Sequence, residues 1–298
     1  NVDQAGLSED TNIGLSRFAS FVQAERRFTD KLSFRVRYNF ELAKLINLED
    51  AQFSAFTETS RITRLAILTT GASYDTRDNP INPTRGNLFS IDYSLATRIL
   101  GGNESFNKIN TSYQYFNKLE NSPINFLNDS VLAFSSRIGL AAPFQIRSRR
   151  GDGVITDSDT LLPFSERFRS GGSTTLRGFL FETAGPQAIS EVGNAPAQLI
   201  PLGGNALAVF NLELRYPLTD RLQLVPFYDL GNVFSRVRDI DFKGMANTVG
   251  VGLRFNTPIG PIGVDYGYLL DPQTFITPNG GVLKQRRGVL HIKFGQSF

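Results

Sequence analysis

Three charged residues have the types and positions to form one buried ion cluster. Arg177 lies in a long connection directly before Gly178, while Glu213 and Asp229 each lie in an extended segment. A guanidinium between two carboxylates makes fork-shaped, charge-assisted hydrogen bonds that a lysine could not reproduce. Such a cluster would anchor the loop that carries Arg177. Considered alone, the residue pattern favours the competing interpretation of three separately solvated charges.

Residues for enzymatic chemistry are sparse. The single histidine, His291, is close to Lys293 in the last extended segment, and the chain shows no Gly-x-Ser-x-Gly elbow, metal-spaced histidine pair or phosphate-binding glycine loop. With no cysteine, disulfides, thiolate metal sites and a cysteine nucleophile are excluded. We therefore expect no catalytic residue, no metal site and no cofactor, and we predict that the protein is not an enzyme.

Composition narrows the class of protein. The net charge is only +3, and the basic residues are scattered among carboxylates, so we expect no nucleic-acid partner. No run approaches the roughly 18 to 20 apolar residues that a membrane-spanning helix needs. Residues 1–10 lack the charged-then-apolar pattern of a secretory signal, so we expect any export signal to lie upstream or to have been removed.

Hydrophobic alternation is the strongest signal in the chain. Between Leu32 and Leu42 the even positions are apolar or aromatic and the odd positions are polar or charged. The same period of two recurs in segments 89–95, 132–140, 249–255 and 262–268. Each run is about 10 residues or slightly longer, which is the length that a tilted strand needs to cross a bilayer. The alternation predicts an all-β chain.

A soluble β-sandwich is the alternative explanation of this alternation. Sandwich strands are commonly about 5 or 6 residues long, shorter than these runs. The Gly, Arg, Asp and Asn residues of the polar face suit the interior of a membrane barrel better than a packed core. A sheet in lipid must also close, because an open edge would leave backbone groups unpaired in hydrocarbon. The pattern thus favours a transmembrane antiparallel β-barrel.

Connection lengths alternate along the chain and indicate sidedness. Short, turn-rich links fall at residues 28–31, 217–220 and 256–260. Longer links fall at residues 46–61, 143–204, 236–246 and 271–286. Outer-membrane barrels have short periplasmic turns and long external loops. We count about 11 to 12 strands beginning near Asn12. A closed bacterial barrel normally has an even number of strands, so a count of eleven predicts that the barrel is incomplete at its N-terminal side.

Five motifs in order resemble one family of proteins. Segment 74–86 (YDTRDNPINPTRG) resembles a strand-end and turn signature of the BamA and TamA family of outer-membrane assembly factors, and 171–179 (GGSTTLRGF) is similar to that family's inward-folding loop. Segments 203–213 and 227–231 resemble the two strands that follow this loop, and 294–298 (FGQSF) resembles the closing strand.

The resemblance implies a fold, a location and partners. It implies a barrel of roughly 16 strands in the bacterial outer membrane, preceded by POTRA domains. Neither the POTRA domains nor the first few strands of such a barrel can be located in this sequence. We therefore expect residues 1–298 to be a single barrel domain, truncated at its N-terminal side and without POTRA domains. The implied partners are nascent outer-membrane β-barrel proteins, accessory lipoproteins or a periplasm-spanning partner, and outer-membrane lipid. The implied loop anchor is Arg177, Gly178 and Phe179 with Glu213 and Asp229, which favours the ion cluster over separate charges.

The last strand is the second candidate site. A barrel that inserts other barrels must open, and the seam between its first and last strands exposes backbone groups that can template an incoming strand. The residues assigned to this seam strand are Gly288, Leu290, Ile292, Phe294, Gly295 and Phe298. The implied function is an insertase that folds β-barrel proteins by strand templating at this lateral seam.

Two other functions fit the same pattern. A two-partner-secretion transporter of the same superfamily shares the Arg-Gly-aromatic loop motif and exports one dedicated polypeptide. A passive porin would use the barrel as an open pore and would not need the motif around Arg177. Planar-bilayer conductance separates these classes, because a porin gives large, stable openings and a plugged barrel gives small, erratic ones.

Overall fold

The structure, a computed structural model, describes residues 14–46, 62–120, 122–146, 155, 157–190, 197–258, 260–277 and 279–295. The strands in these ranges are β1 Gly14–Arg27, β2 Leu32–Ile46, β3 Thr63–Asp75, β4 Gly86–Ala96, β5 Phe106–Lys118, β6 Val131–Pro143, β7 Gln187–Ser190, β8 Gln198–Pro201, β9 Ala206–Pro217, β10 Leu222–Phe234, β11 Ala246–Thr257, β12 Gly260–Leu269, β13 Thr274–Ile276, β14 Val282–Lys284 and β15 Gly288–Phe294. Short 3-10 helices occupy Arg98–Leu100, Asn125–Leu127, Asp157–Thr160, Phe164–Glu166, Val237–Asp239 and Phe242–Gly244. Across the described ranges, no helix is long and apolar enough to span a membrane.

Eleven strands form one antiparallel sheet. Their order is β1-β2-β3-β4-β5-β6-β9-β10-β11-β12-β15, so each strand pairs with the next in sequence except where small hairpins intervene. The hairpin β7–β8 lies within the long connection between β6 and β9, and the hairpin β13–β14 lies between β12 and β15. The predicted all-β fold and strand count are confirmed. The predicted start near Asn12 lies outside the described residues.

The outer face of the sheet is apolar, as the alternation predicts. Phe34, Tyr93, Leu212 and Val264, on four different strands, keep 41%, 41%, 44% and 42% of their surface exposed. Asp265, one residue from Val264, is fully buried on the opposite face. A soluble sandwich requires the reverse, with aromatic residues in the core and charges in water. An apolar outer face with charged residues on the inner face is typical of a membrane-spanning sheet. The strand lengths agree, since β2 has 15 residues and β12 has 10.

The shortest and the longest connections lie at opposite ends of the sheet. Neighbouring short turns are hydrogen-bonded to each other: the Asp75 amide donates to the Lys31 carbonyl at 2.8 Å, and the Asn256 amide donates to the Arg221 carbonyl at 2.8 Å. The opposite end carries the connections that contain residues 97–105, 144–205, 235–245 and 270–287. The predicted short links at 28–31 and 217–220 and the predicted long links at 143–204, 236–246 and 271–286 lie at the expected ends. The alternation is not strict, because the connections at 76–85 and 119–130 on the short-turn side are longer than the connection at 97–105 on the opposite side. The predicted long link at 46–61 lies outside the described residues beyond Ile46.

The longest connection covers the inner face of the sheet. We call its described residues 157–190 and 197–205 the inward loop. Leu162 and Phe168 of the loop are buried in one apolar cluster with side chains from several strands, namely Leu65, Ile67, Ala96, Phe106, Ala141 and Val233. Gly139 on β6 makes room for this packing, because a Cβ there would lie 2.4 Å from the ring of Phe168. The core of the protein thus lies between the sheet and its own loop, as the predicted inward-folding loop requires.

The two edge strands have one described partner each, and the sheet is open between them. β1 pairs with β2, and β15 pairs with β12. Outer-face residues are more exposed at these edges: Val22 is 75% exposed and Phe294 is 80% exposed. The closing strand was predicted over residues 288–298. The described strand spans Gly288–Phe294, and Gly295 follows it with a left-handed φ of 91°. Residues 296–298 lie outside the described residues. That 1–298 is a single, N-terminally truncated domain stays a prediction.

Candidate functional site

Strands β9 and β10 place two carboxylates on the inner face. Along β9 the side chains alternate, so Leu212 is on the outer face while Asn211 and Glu213 point inward. On β10, Asp229 is paired with Asn211 and points to the same side. Glu213 and Asp229 are both fully buried beneath the inward loop. A buried carboxylate without a partner is costly, so this geometry demands a cation.

Arg177 supplies that cation from the tip of the inward loop. Its Nη1 donates to Glu213 Oε1 at 2.5 Å, and its Nη2 and Nε donate to the two carboxylate oxygens of Asp229 at 2.5 and 2.9 Å. The backbone amide of Arg177 also donates to Asp229 Oδ2 at 3.0 Å. The structure therefore brings together the three charged residues singled out in the sequence, in the fork geometry that only arginine provides.

The Arg177 guanidinium is secluded from solvent. Its side chain is 1% exposed, and its central carbon lies 3.4 Å from the centre of the Phe227 ring. Burial alone would lower the pKa of Arg177, but the carboxylates of Glu213 and Asp229 raise that pKa above its usual value. The residue therefore remains a permanent cation at the loop tip.

Glycines allow the loop tip to approach the sheet. Gly171 and Gly172 adopt φ angles of 113° and 105°, which L side chains rarely adopt. On β12, a Cβ at Gly267 would lie 2.2 Å from the Arg177 carbonyl oxygen. A Cβ at Gly178 would lie 2.5 Å from the Thr248 hydroxyl. These small residues set the distance at which Arg177 meets its carboxylates.

Phe179, the aromatic residue of the predicted loop anchor, has an apolar role. It is 6% exposed and is clustered with Leu176, Ala184, Val209 and Leu269. The Asn211 side-chain amide also holds the tip, donating to the Thr175 carbonyl at 2.5 Å. The loop tip is thus fixed by apolar packing and backbone hydrogen bonds as well as by the ion pairs of Arg177.

Four further charged residues belong to the same cluster and were not predicted as part of it. Lys293 Nζ lies 2.6 Å from Asp265 Oδ2, and Arg254 Nη2 donates to the same oxygen at 2.8 Å. Arg215 Nε donates to Glu213 Oε2 at 3.2 Å. Arg177 Nη1 is also 3.7 Å from Asp265 Oδ2. We call the seven residues the inner ion cluster: Arg177, Glu213, Arg215, Asp229, Arg254, Asp265 and Lys293.

A sequence signal for these extra members exists. Alternation alone places Arg254 and Asp265 on the inner face, and each is flanked by glycine on the facing strand. A Cβ at Gly252 would lie 1.9 Å from Asp265 Oδ1, and one at Gly263 would lie 2.9 Å from Arg254 Nη1. A glycine on the inner face therefore leaves the space into which a charged side chain of the neighbouring strand extends.

The inner ion cluster contributes more to the position of the inward loop than to the stability of the fold. Removing several charges from water costs about as much as their mutual attraction returns, so such clusters are weak evidence for a stable fold. Breaking one is nevertheless expensive, because a partner is left buried and unpaired. Within the described residues, no three His, Cys, Asp or Glu side chains are grouped to hold a metal ion. The absence of enzymatic activity stays a prediction.

Four of the six predicted seam residues, Gly288, Leu290, Ile292 and Phe294, lie on the edge strand β15. Leu290 and Ile292 are 62% and 68% exposed on the outer face, like Phe294. Gly288 begins the strand and Gly295 follows its end. Phe298 lies outside the described residues. Whether these residues form a functional seam stays a prediction.

Comparison with known proteins agrees with this architecture. The family model for the Omp85 superfamily domain matches residues 3–298. The chain is 25% identical over 227 residues to the outer membrane protein assembly factor BamA of Nitratidesulfovibrio vulgaris, an alignment that covers 75% of this chain and 24% of that protein. The crystal structure of BamA from Haemophilus ducreyi lacking POTRA domains 1–3 is similar in fold, with a TM-score of 0.65 at 17% identity, over 94% of this chain and 55% of that one. The chain spans about a quarter of the length of the curated relative.

Proposed function

Because the chain belongs to the Omp85 superfamily, we propose that it acts in outer-membrane protein assembly as an insertase, folding β-barrel proteins by strand templating at the free edge of β15. The observation that carries this proposal is the outer edge of β15, which has no partner strand among the described residues, combined with an outer face that is already apolar. Family membership and this outer face place the chain in the outer membrane, where its substrates must arrive.

The backbone of β15 presents alternate groups to its open edge. The Gly295 amide donates to the Pro261 carbonyl at 2.7 Å, and the Leu269 amide donates to the Arg287 carbonyl at 2.6 Å. In this register the odd residues of β15 direct their backbone groups toward β12. The N–H and C=O groups of Leu290, Ile292 and Phe294 therefore point away from β12. An incoming strand would pair with these groups.

Strand templating at β15 does not require energy from nucleotide hydrolysis. Backbone groups must be paired inside a bilayer, so an unfolded substrate strand gains several kcal/mol for each group that finds a partner. The edge of β15 offers such partners beside exposed side chains that contact lipid. We infer that nascent β-barrel proteins are the substrates, with outer-membrane lipid and accessory lipoproteins or a periplasm-spanning partner as the other components. The source of free energy is the folding of the substrate itself.

The inward loop supports an assembly role over a passive pore. It packs against the inner face through apolar side chains and the inner ion cluster, as Phe168 and Arg177 show. An open diffusion channel has no use for a fixed plug of this size. A polypeptide transporter of the same superfamily remains the alternative, distinguished by whether the edge of β15 is required.

Replacement of Ile292 by proline tests the edge. Ile292→Pro removes the outward N–H and leaves the pairing of β15 with β12 in place, because proline is tolerated where a strand's N–H faces away from its partner. Ile292→Ala is the matched control, since it removes the same side chain and keeps the N–H. With the intact protein in lipid vesicles, we expect Ile292→Pro to slow insertion of a β-barrel substrate at least about tenfold. A tenfold change in rate corresponds to roughly 1.4 kcal/mol of activation free energy.

The control decides the interpretation. Ile292→Ala is expected to insert the substrate at close to the unaltered rate. Equal rates for the proline and alanine variants would overturn the templating proposal and favour transport through the interior.

A further inference from the structure

The edge strand β15 contacts the inward loop through its inner-face side chains. His291 Nε2 lies 3.0 Å from the carbonyl oxygen of Arg177. Because a carbonyl can only accept, the imidazole donates this hydrogen bond. Two residues further along, Lys293 pairs with Asp265 on β12 and lies 3.5 Å from the carbonyl oxygen of Ser173 in the loop tip. The same short strand thus touches both β12 and the loop.

The local geometry depends on β12. His291 is paired with Asp265, and Lys293 is paired with Gly263. Gly267 has no side chain, so the Arg177 carbonyl lies against the β12 backbone, within reach of the His291 imidazole. Lys293 is 5% exposed, so its ammonium is held within the inner ion cluster instead of in solvent. A strand at the edge of the sheet is therefore connected to the buried centre of the protein.

We propose that His291 and Lys293 are positioning residues that latch β15 to the inward loop, so that undocking of the loop and release of β15 from β12 promote each other. The importance of this latch for substrate entry rests on the proposed insertase function. The physical coupling between the loop and β15 does not depend on that function.

The coupling follows from shared contacts. If β15 separates from β12, the contacts of His291 with Arg177 and of Lys293 with Asp265 and Ser173 are lost. If the loop tip withdraws, the contacts with Arg177 and Ser173 are lost as well. The contacts with Arg177 and Ser173 are thus broken by either movement. Once one movement has broken them, the other movement no longer has to break them and becomes easier. By linkage, the effect on the loop and the effect on the strand are equal in free energy.

Hydrogen exchange of the intact protein in lipid vesicles measures both movements at once. The loop is followed through the amides of residues 171–179 and the strand through those of residues 288–294. The test variants are His291→Leu and Lys293→Met, which remove the polar contacts and keep side chains of similar size. Ile292→Ala is the control, because it lies between them on β15 but points outward. We expect the two test variants to accelerate loop exchange about 5- to 50-fold relative to the control, which lies within the range of typical couplings between sites.

Conservative substitutions separate positioning from general damage. Glutamine can donate from a similar position, so His291→Gln is expected to restore slow loop exchange, and Lys293→Arg is expected to do the same by keeping the charge. In the reverse direction, Arg177→Ala is expected to accelerate exchange of β15. Amides of β2 and β3 serve as an internal check that the sheet remains folded.

Two outcomes would overturn the latch. One is loop exchange in both His291→Leu and Lys293→Met that equals that of Ile292→Ala. The other is loss of protection without rescue by His291→Gln and Lys293→Arg. Failure of the insertase proposal gives a different result: coupled exchange persists, while Ile292→Pro inserts substrate as fast as Ile292→Ala.

Discussion

At the scale of single residues, Arg177 decides where the inward loop rests. Its guanidinium satisfies Glu213 and Asp229 together, and its backbone is seated against Gly267. Lysine would retain the charge but could not form both arms of the fork. The remaining cations of the inner ion cluster partly compensate Glu213, but Asp229 has only Arg177 as its described ion-pair partner.

Replacing Arg177 should therefore undock the loop. We expect Arg177→Ala to lower the free energy of loop docking by about 3 to 5 kcal/mol, because it leaves buried carboxylates unpaired. Arg177→Lys should be intermediate. Protection of residues 171–179 against hydrogen exchange measures the change. Arg238→Ala is the control, since that side chain is 75% exposed; equal protection in the two alanine variants would contradict the anchoring role.

At the scale of elements, the connection between β3 and β4 is organised by one carboxylate. Asp78 accepts hydrogen bonds from the backbone amides of Asn79, Thr84 and Arg85 at 2.9, 2.9 and 3.1 Å, and from the Thr84 hydroxyl at 2.6 Å. Gly86 ends the turn with a φ of 93°. This segment, which resembles a family signature, acts here as a rigid link between strands. Its physical role is structural, as its proline and aspartate content predicts.

The stability of this turn should depend on pH. Burial raises the pKa of Asp78, but hydrogen bonds from Thr84, Arg85 and Asn79 outweigh it and hold that pKa below the usual value. A lowered pKa contributes stability that is present above the unfolded value of about 4 and is lost as pH falls through the folded value. Protection factors of the Thr84 and Arg85 amides should fall below pH 4 in the unaltered protein. Asp78→Asn should show no such step, and an identical step in both would refute the assignment.

At the scale of the whole molecule, the sheet is inverted relative to a soluble protein. Aromatic and aliphatic side chains cover the outer face, and charged residues lie under the inward loop. This arrangement is favourable only when hydrocarbon surrounds the sheet. The apolar residues of β12 therefore mark a membrane-embedded band, whereas the hairpin β13–β14 lies beyond the strand ends and outside this band.

A charge introduced into that band tests the membrane orientation. Val264 lies at the middle of β12 and is 42% exposed. Val264→Arg should lower the free energy of unfolding in lipid vesicles by about 2 to 4 kcal/mol, the cost of arginine near the bilayer midplane. Ile276→Arg, at a 74% exposed position on β13, should have little effect. Urea titration of both variants is the measurement, and equal destabilisation would be incompatible with the band.

The amino-acid sequence alone determined the two faces of the sheet and much of the site. Period-two alternation assigned Phe34 and Val264 to one face and Asp265 to the other, because side-chain direction in a strand depends only on local geometry. The residue pattern around Arg177 did not by itself favour an anchored loop tip. The resemblance of segment 171–179 to a family motif indicated it. The shortest and the longest connections indicated the two ends of the sheet.

Only the tertiary structure decided which inward residues meet. Sliding one strand by two residues against its neighbour leaves every side chain on its own face, so alternation cannot fix register. Register and the path of the inward loop together bring Lys293 of β15 to Asp265 of β12, and place the Arg177 carbonyl beside His291. These contacts join residues more than a hundred positions apart in one case. They depend on how the whole loop packs against the sheet. No local pattern of residues in the chain specifies that packing.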